Sequence, residues 1–391
     1  MNVAIFTDND FGKVNGVTTT LAAALEYAPD DLNLRVYTCD DAGAETGDYL
    51  SLAASGVGIP FYREMKMYLP PVRKFLRHAR ADGIEVIHLT TPGPVGLAAL
   101  WVASRLGIPM VGSFHTDLAK YARILSGSRG LARFMECHMR WLYSYCERIL
   151  APSDATRDML ADAGLERSRI DIWRRGVSTV RFDPAKRSQA LRDKWGVNDE
   201  RPAIIYVGRV SKEKGLQMLQ PFSRFLEYGG VSHRMVVVGD GPMRADLQSE
   251  CPHAVFTGTL RQDEVAVAMA SADLMIFPSR TDTAGNVVLE AQASGLPVLV
   301  SDAGGPRENL RPVESGFVCS GFNEFVRRAG DLVRHPRKRR EMSDAAREYA
   351  LTRRWETALE TLYDCYLTLG SDRTAPVMQS HHQTERVSVV Q

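Results

Sequence analysis

Short apolar runs of four to seven residues recur along the chain, each followed by a Gly- or Ser-bearing loop and then a segment whose apolar positions repeat every three to four residues. In the first half these runs are Val3–Thr7, Leu34–Thr38, Val86–Thr90, Pro109–Phe114 and Ile149–Pro152. The second half repeats the rhythm with Ala203–Val207, Met235–Gly239, Leu274–Pro278 and Pro297–Ser301. Runs that are apolar at successive positions, not alternate ones, predict strands buried on both faces. Alternation with helices predicts parallel sheets built from right-handed βαβ units. Helical periodicity dominates from Phe322 to Leu369, and the pattern dissolves from Gly370 onward. The polar, turn-rich Gly196–Pro202 stretch just before a new strand predicts a boundary between two such sheets.

The length of 391 residues agrees with two domains of similar size. The domains expected are 1–197, a Rossmann-like N-terminal domain, and 198–352, a Rossmann-like C-terminal domain. A helix over 353–369 is expected to pack back toward the first domain, with a disordered tail at 370–391. Lys plus Arg number 48 against 47 Asp plus Glu, so no global field draws the chain to nucleic acid. Any anionic ligand must be held locally. The six cysteines show no C-x-x-C pair and no metal-ligand spacing, which predicts free, mostly buried thiols. The N-terminal apolar run is too short for a signal peptide, and no run of about 18 apolar residues exists. Together these predict a cytoplasmic protein, with any membrane contact peripheral.

Doubly wound sheets bind ligands beyond the carboxyl ends of their strands, so the loops there carry the candidate chemistry. After the first strand, Asn15-Gly16-Val17 precedes a helix expected near Thr18, a place where backbone N–H groups suit phosphate. Asp8-Asn9-Asp10 in the same loop has the spacing with which two carboxylates hold a divalent cation. His115-Thr116-Asp117 ends the strand Pro109–Phe114, where an imidazole reaches a sugar hydroxyl or a leaving oxygen. Arg209 and Lys214 flank a short loop before Gly215, a pair of cations suited to a diphosphate. In Pro278-Ser-Arg-Thr-Asp-Thr-Ala-Gly-Asn-Val-Val-Leu-Glu-Ala291, Asp282 lies in a loop and Glu290 on the first turns of a helix. An unpaired carboxylate in the apolar setting of Glu290 is costly, which argues for a ligand role.

These residues resemble the E-x7-E region of retaining GT-B glycosyltransferases, family 4. Gly16-Val17, His115-Thr116-Asp117, Val207-Gly208-Arg209 with Lys214-Gly215, Gly239-Asp240-Gly241-Pro242 and Gly304-Gly305-Pro306 match in family order over about residues 1–370. The resemblance implies an α/β GT-B fold, two Rossmann-like domains facing a cleft, and transfer of a hexose from GDP-mannose or a UDP-hexose to a lipid or glycan hydroxyl. It implies that Arg209 and Lys214 neutralise the diphosphate and Glu290 holds the ribose. By the same resemblance, Asp282 would contact the sugar, Gly16 would open the first loop to the phosphates, His115 would support the reaction centre, and Gly285, Asn286 and Val287 would complete the donor site. The family retains configuration by front-face attack assisted by the leaving phosphate, so no metal and no other cofactor is expected.

Three positions depart from the family pattern: Asp282 in place of Glu, Ala284 where an aromatic residue is frequent, and Asn15-Gly16 where Gly-Gly is frequent. The alternatives are an epimerase-like or sugar-modifying protein of the same fold without transfer, and a metal-dependent transferase acting through Asp8 and Asp10. The expected partners are the donor, the acceptor and, through residues 61–80, the inner face of the cytoplasmic membrane. That stretch holds Arg63, Lys66, Arg73, Lys74, Arg77 and Arg80 among Phe61, Tyr62, Met65, Met67, Tyr68 and Phe75, the composition of a membrane-surface patch.

Overall fold

The computed structural model describes residues 1–11, 15–59 and 62–371. In chain order the strands are β1 Asn2–Phe6, β2 Asn33–Asp40, β3 Ala44–Thr46, β4 Tyr49–Ala53, β5 Gly56–Ile59, β6 Tyr62–Tyr68, β7 Val86–Leu89, β8 Met110–Ser113, β9 Arg148–Ala151 and β10 Ile170–Ile172. They continue with β11 Ala203–Val207, β12 Arg234–Val238, β13 Val255–Gly258, β14 Leu274–Phe277, β15 Val298–Ser301 and β16 Gly316–Cys319. Among the described residues the first sheet runs β10-β9-β8-β7-β1-β2-β4-β3 and the second β13-β12-β11-β14-β15-β16. All neighbours are parallel except the β3–β4 hairpin at the edge of the first sheet. Strands β5 and β6 form a separate antiparallel ribbon.

Strand β1 shows why its sequence reads as a continuous apolar run. Ala4 and Phe6 face one core with Phe75, Val95 and Leu142, whereas Val3 and Ile5 face another with Leu21, Leu359 and Tyr366. Side chains alternate across a strand, so both faces being covered requires both sets to be apolar. The nine expected strands are all present. The edge strands β3, β10, β13 and β16, strand β4 beside β3, and the β5–β6 ribbon add to them, being shorter or more polar than the patterning rule detects. The first helix, Gly16–Glu26, starts two residues before the expected Thr18 because Asn15 caps it.

The helix Trp355–Ser371 contributes Trp355, Leu359, Leu362 and Tyr366 to the core on the Val3–Ile5 face of the first sheet. Gly370 and Ser371 continue it, two residues past the expected start of the tail; residues 372–391 lie outside the described residues. The expected 197/198 boundary differs from the grouping of the cores. Val177, Phe182, Trp195 and Val197 pack with the second sheet, so the chain changes cores upstream of the Gly196–Pro202 turn. All six cysteines are free; Cys39, Cys146 and Cys319 are buried, whereas Cys137 is exposed. Among the described residues no helix is long and apolar enough to cross a membrane.

Each sheet has one point where strand order reverses, beside β1 and β7 in the first and beside β11 and β14 in the second. Loops diverge there and leave a crevice beyond the strand ends.

Candidate active site

The loops after β11 and β14 meet through an ion pair. Lys214 follows β11 in the short 3₁₀ turn Lys212–Lys214, and its Nζ lies 2.7 Å from Asp282 Oδ1 in the loop after β14. Both side chains are largely buried, at 14% and 19% exposure. Burial works against the Lys214 ammonium, but the facing Asp282 carboxylate and the nearby Tyr121 and Tyr206 outweigh it and raise its pKa. The second carboxylate oxygen, Oδ2 of Asp282, is buried without a hydrogen-bond partner. Such an oxygen is costly unless a ligand donor reaches it. Arg209 Nη1 lies 3.8 Å from Oε1 of the buried Glu213. Each of the two expected diphosphate cations thus faces a carboxylate.

Glycines let the surrounding loops come this close. The Asp282 carbonyl accepts a hydrogen bond from the Gly305 amide at 3.0 Å. Gly304 has φ +72°, and a Cβ there would stand 2.4 Å from the same carbonyl. One at Gly305 would stand 1.9 Å from the Thr283 carbonyl. At Gly285, φ +74° turns the chain into the helix Asn286–Ala293.

Glu290 lies on the second turn of that helix, and its carboxylate has no hydrogen-bond or ion-pair partner among the described residues. It is half-buried, and burial pushes its carboxyl up to about 7, opposed only by the more distant Arg181. Val287 is partly buried and packs against the second core. Asn286 Nδ2 donates across the cleft to the Gly16 carbonyl at 3.2 Å and to Thr20 Oγ1 at 3.3 Å, while its Oδ1 is buried without a partner. The first helix terminus differs from expectation. Asn15 Oδ1 accepts from the amides of Val17 and Thr18 at 2.9 and 3.0 Å, which spends two of the N–H groups foreseen for phosphate.

His115 also departs from a free sugar-binding imidazole, because both ring nitrogens are engaged. Nε2 is 2.7 Å from Ser113 Oγ, and Nδ1 is 3.2 Å from Arg175 Nη2. Its carbonyl accepts the hydroxyl of Thr283, the residue after Asp282. Burial, then Arg175, then His88 hold the ring well below the usual imidazole pKa, so it is neutral.

Several residues that join the domains were missed in sequence because their partners are remote. Glu308 accepts from the amides of Asp154 and Ala155 at 2.8 and 2.9 Å, capping the helix Asp154–Asp162 from the other domain. Ser153 Oγ donates to the Thr283 carbonyl at 3.0 Å, and Lys120 Nζ to the Arg280 carbonyl. The one available signal was position at strand ends. In the Asp8–Asp10 pair the Asp8 carboxylate is engaged within the protein. Asp8 accepts from Thr91 Oγ1 at 2.6 Å and from the Val95 amide at 2.9 Å, and burial raises its pKa, opposed by these bonds. Among the described residues no three His, Cys, Asp or Glu side chains group as metal ligands.

Comparison with known proteins agrees with this geometry. The model of Glycosyltransferase Family 4 matches residues 14–181, and that of Glycosyl transferases group 1 matches residues 187–349. A GDP-mannose-dependent alpha-mannosyltransferase of Mycobacterium tuberculosis is 34% identical over 381 residues, covering 96% of this chain and 98% of that protein. One from Corynebacterium glutamicum is 32% identical over 379 residues, covering 94% and 88%. Among solved structures, sucrose-phosphate synthase from Thermosynechococcus elongatus superposes with a TM-score of 0.78 at 17% identity over 95% of this chain and 99% of that one, a likeness of fold. The chain therefore belongs to the family 4 glycosyltransferases of the retaining GT-B type, and is a hexosyltransferase that uses a nucleotide sugar.

Proposed function

We propose that the enzyme transfers an α-mannosyl residue from GDP-mannose to a hydroxyl of a lipid-linked acceptor, with retention and without a metal. The observation that carries the donor is similarity over nearly the full chain to three proteins named GDP-mannose-dependent alpha-mannosyltransferases. The site supports it chemically. Donor binding exchanges the Lys214–Asp282 pair for two ligand contacts: Lys214, with Arg209, takes the diphosphate, and Asp282 takes the sugar hydroxyls. Glu290 accepts the ribose hydroxyls. The bond from the anomeric carbon to the diphosphate oxygen then breaks, the acceptor oxygen bonds on the same face, and its proton passes to the departing phosphate. The products are GDP and the α-mannoside.

The acceptor assignment rests on the outer layer of the first domain. Its helices Val72–Ala81, Pro94–Leu106 and Arg129–Tyr143 pack against one core. The first exposes Arg73, Lys74, Arg77 and Arg80, and the third exposes Phe134 and Trp141 beside Arg133 and Arg140, with exposed Tyr145 just past its end. Basic side chains with exposed aromatics suit an anionic bilayer surface. Within the 61–80 stretch, Lys66 pairs with Asp41 at 2.6 Å, and Phe61 lies outside the described residues.

The test is a donor screen read by nucleoside diphosphate release, with co-sedimentation on anionic and neutral vesicles. GDP-mannose is expected to give the fastest turnover, and protein to sediment with anionic vesicles. Faster turnover of a UDP-hexose overturns the donor, and equal sedimentation with neutral vesicles overturns the surface. No observation favours the epimerase-like alternative, and donor incubated alone, recovered with its sugar unaltered, separates it from transfer.

A further inference from the structure

A chain of hydrogen bonds, part-buried at His115 and buried at His88, runs from His115 to the C-terminal helix. Arg175 Nη2 lies 3.2 Å from His115 Nδ1, and His115 Nε2 lies 2.7 Å from Ser113 Oγ. Ser113 Oγ lies 2.7 Å from His88 Nε2, and His88 Nδ1 lies 2.6 Å from Tyr366 Oη. These residues come from the loop after β10, the end of β8 and the loop beyond it, β7, and the helix Trp355–Ser371.

Arg175 is 2% exposed and makes no ion pair with a described carboxylate. Its guanidinium lies 4.2 Å over the Trp173 ring and donates to the Trp173 carbonyl at 3.2 Å, while its own carbonyl accepts from Arg353 at 3.1 Å. The cation is therefore fixed in place. A guanidinium donates and never accepts, so the direction of every later bond follows from it. His115 Nδ1 must accept from Arg175, which puts the proton of the neutral ring on Nε2. That N–H donates to Ser113 Oγ, whose own hydroxyl proton is left for His88 Nε2. His88 then carries its proton on Nδ1 and donates it to Tyr366 Oη.

We propose that Arg175, Ser113 and His88 are positioning residues that hold His115 at the reaction centre as the Nε2–H tautomer, with Tyr366 closing the relay from the C-terminal helix. The ring so held is no base, since the Nδ1 lone pair faces a cation and Nε2 is already protonated. The acceptor proton must therefore leave by another route, which is the departing phosphate of the proposed transfer. Burial and then Arg175 pull His88 down to about 3, in keeping with two neutral imidazoles in series. The Thr283 hydroxyl bond to the His115 carbonyl ties the same residue to the donor loop, so a displaced ring would disturb the sugar more than the nucleotide.

This inference rests on the proposed transfer and on the place at the reaction centre that the family resemblance implies for His115, and its test separates the two. In ¹⁵N-histidine-labelled full-length protein at neutral pH, with the His115 signals assigned by H115N, Nε2 is expected at a protonated shift and Nδ1 at an unprotonated one. Protonation at Nδ1, or at both nitrogens, overturns the relay. Kinetically, S113A is expected to lower kcat by about 10- to 100-fold, the range of a lost orienting contact, with donor KM within about threefold. R175K is expected to recover more activity than R175M, because it keeps a donor at Nδ1. Wild-type kcat in S113A, or a loss wholly in KM, overturns it. If S113A fails to fold, the wild-type spectrum still decides; if no donor is turned over, the transfer proposal falls while the spectrum judges the relay.

Discussion

Glu290 couples nucleotide binding to pH. In the free protein its carboxyl is raised to about 7 by burial without a described hydrogen-bond donor. A bound ribose supplies two hydroxyl donors, and hydrogen bonds to the ionised form favour it. Binding must therefore expel a proton wherever the free group is protonated. With a free value of about 7, roughly 9% of the protein is ionised at pH 6 and 91% at pH 8. The dissociation constant for the nucleotide sugar is thus expected to be about tenfold weaker at pH 6 than at pH 8, with about 0.5 proton released per site at pH 7. GDP-mannose without acceptor is the suitable ligand, as its diphosphate has no ionisation in this range. His115 does not interfere, being held neutral well below it. Isothermal titration in two buffers of different ionisation enthalpy measures the proton count directly. E290Q should bind about 10- to 150-fold more weakly at pH 8, for loss of hydrogen bonds to a charge worth about 1.5–3 kcal/mol, and should lose the pH slope. A pH-independent constant in the wild type, or proton uptake on binding, refutes the reasoning.

The same carboxyl should affect stability with the opposite preference. Its folded pKa is raised, so its stabilising contribution is full below about 4.5 and is lost as pH rises through about 7. E290Q without ligand should melt higher than wild type at pH 8, by the equivalent of about 1–2 kcal/mol after allowing for partial exposure, and no higher at pH 4.5. K214A leaves Asp282 in the cleft without its cation and should lower kcat/KM by at least about a hundredfold; near-wild-type turnover contradicts the donor site. G305A places a methyl against the Thr283 carbonyl and should cost about 1–3 kcal/mol of stability together with most activity, read by thermal melting and GDP release. Turnover is expected to persist in excess EDTA, since Arg209 and Lys214 serve the leaving diphosphate; abolition restorable by a divalent cation contradicts this.

What was legible in the sequence had a local cause. Continuous apolar runs such as Ile204–Val207 mark strands covered on both faces, and Asp282 with Glu290 stands out as carboxylates where apolar residues dominate. The β3–β4 hairpin is invisible to the same rule because its Ala44–Thr46 strand is exposed throughout. The site was legible as positions and not as pairings. Nothing near Lys214 in the chain indicates that its ammonium meets a carboxylate 68 residues on, or that Glu308 caps a helix 154 residues back. Arg175 carries no sequence signal of its own, since an arginine beside another arginine ordinarily marks a solvated turn. Its burial depends on Trp173 folding beneath it and on Arg353 arriving from far along the chain.

The chain passes between the two cores twice, once near Val177 and again near Trp355, and these passages are tied together. The Val177 amide donates to the Arg353 carbonyl at 2.8 Å, Val177 bridges Arg354, and Gly176 has no room for a Cβ against the Trp355 backbone. Two crossings stitched to each other make a single joint, so a substitution that enlarges Gly176 reaches both passages between the cores at once.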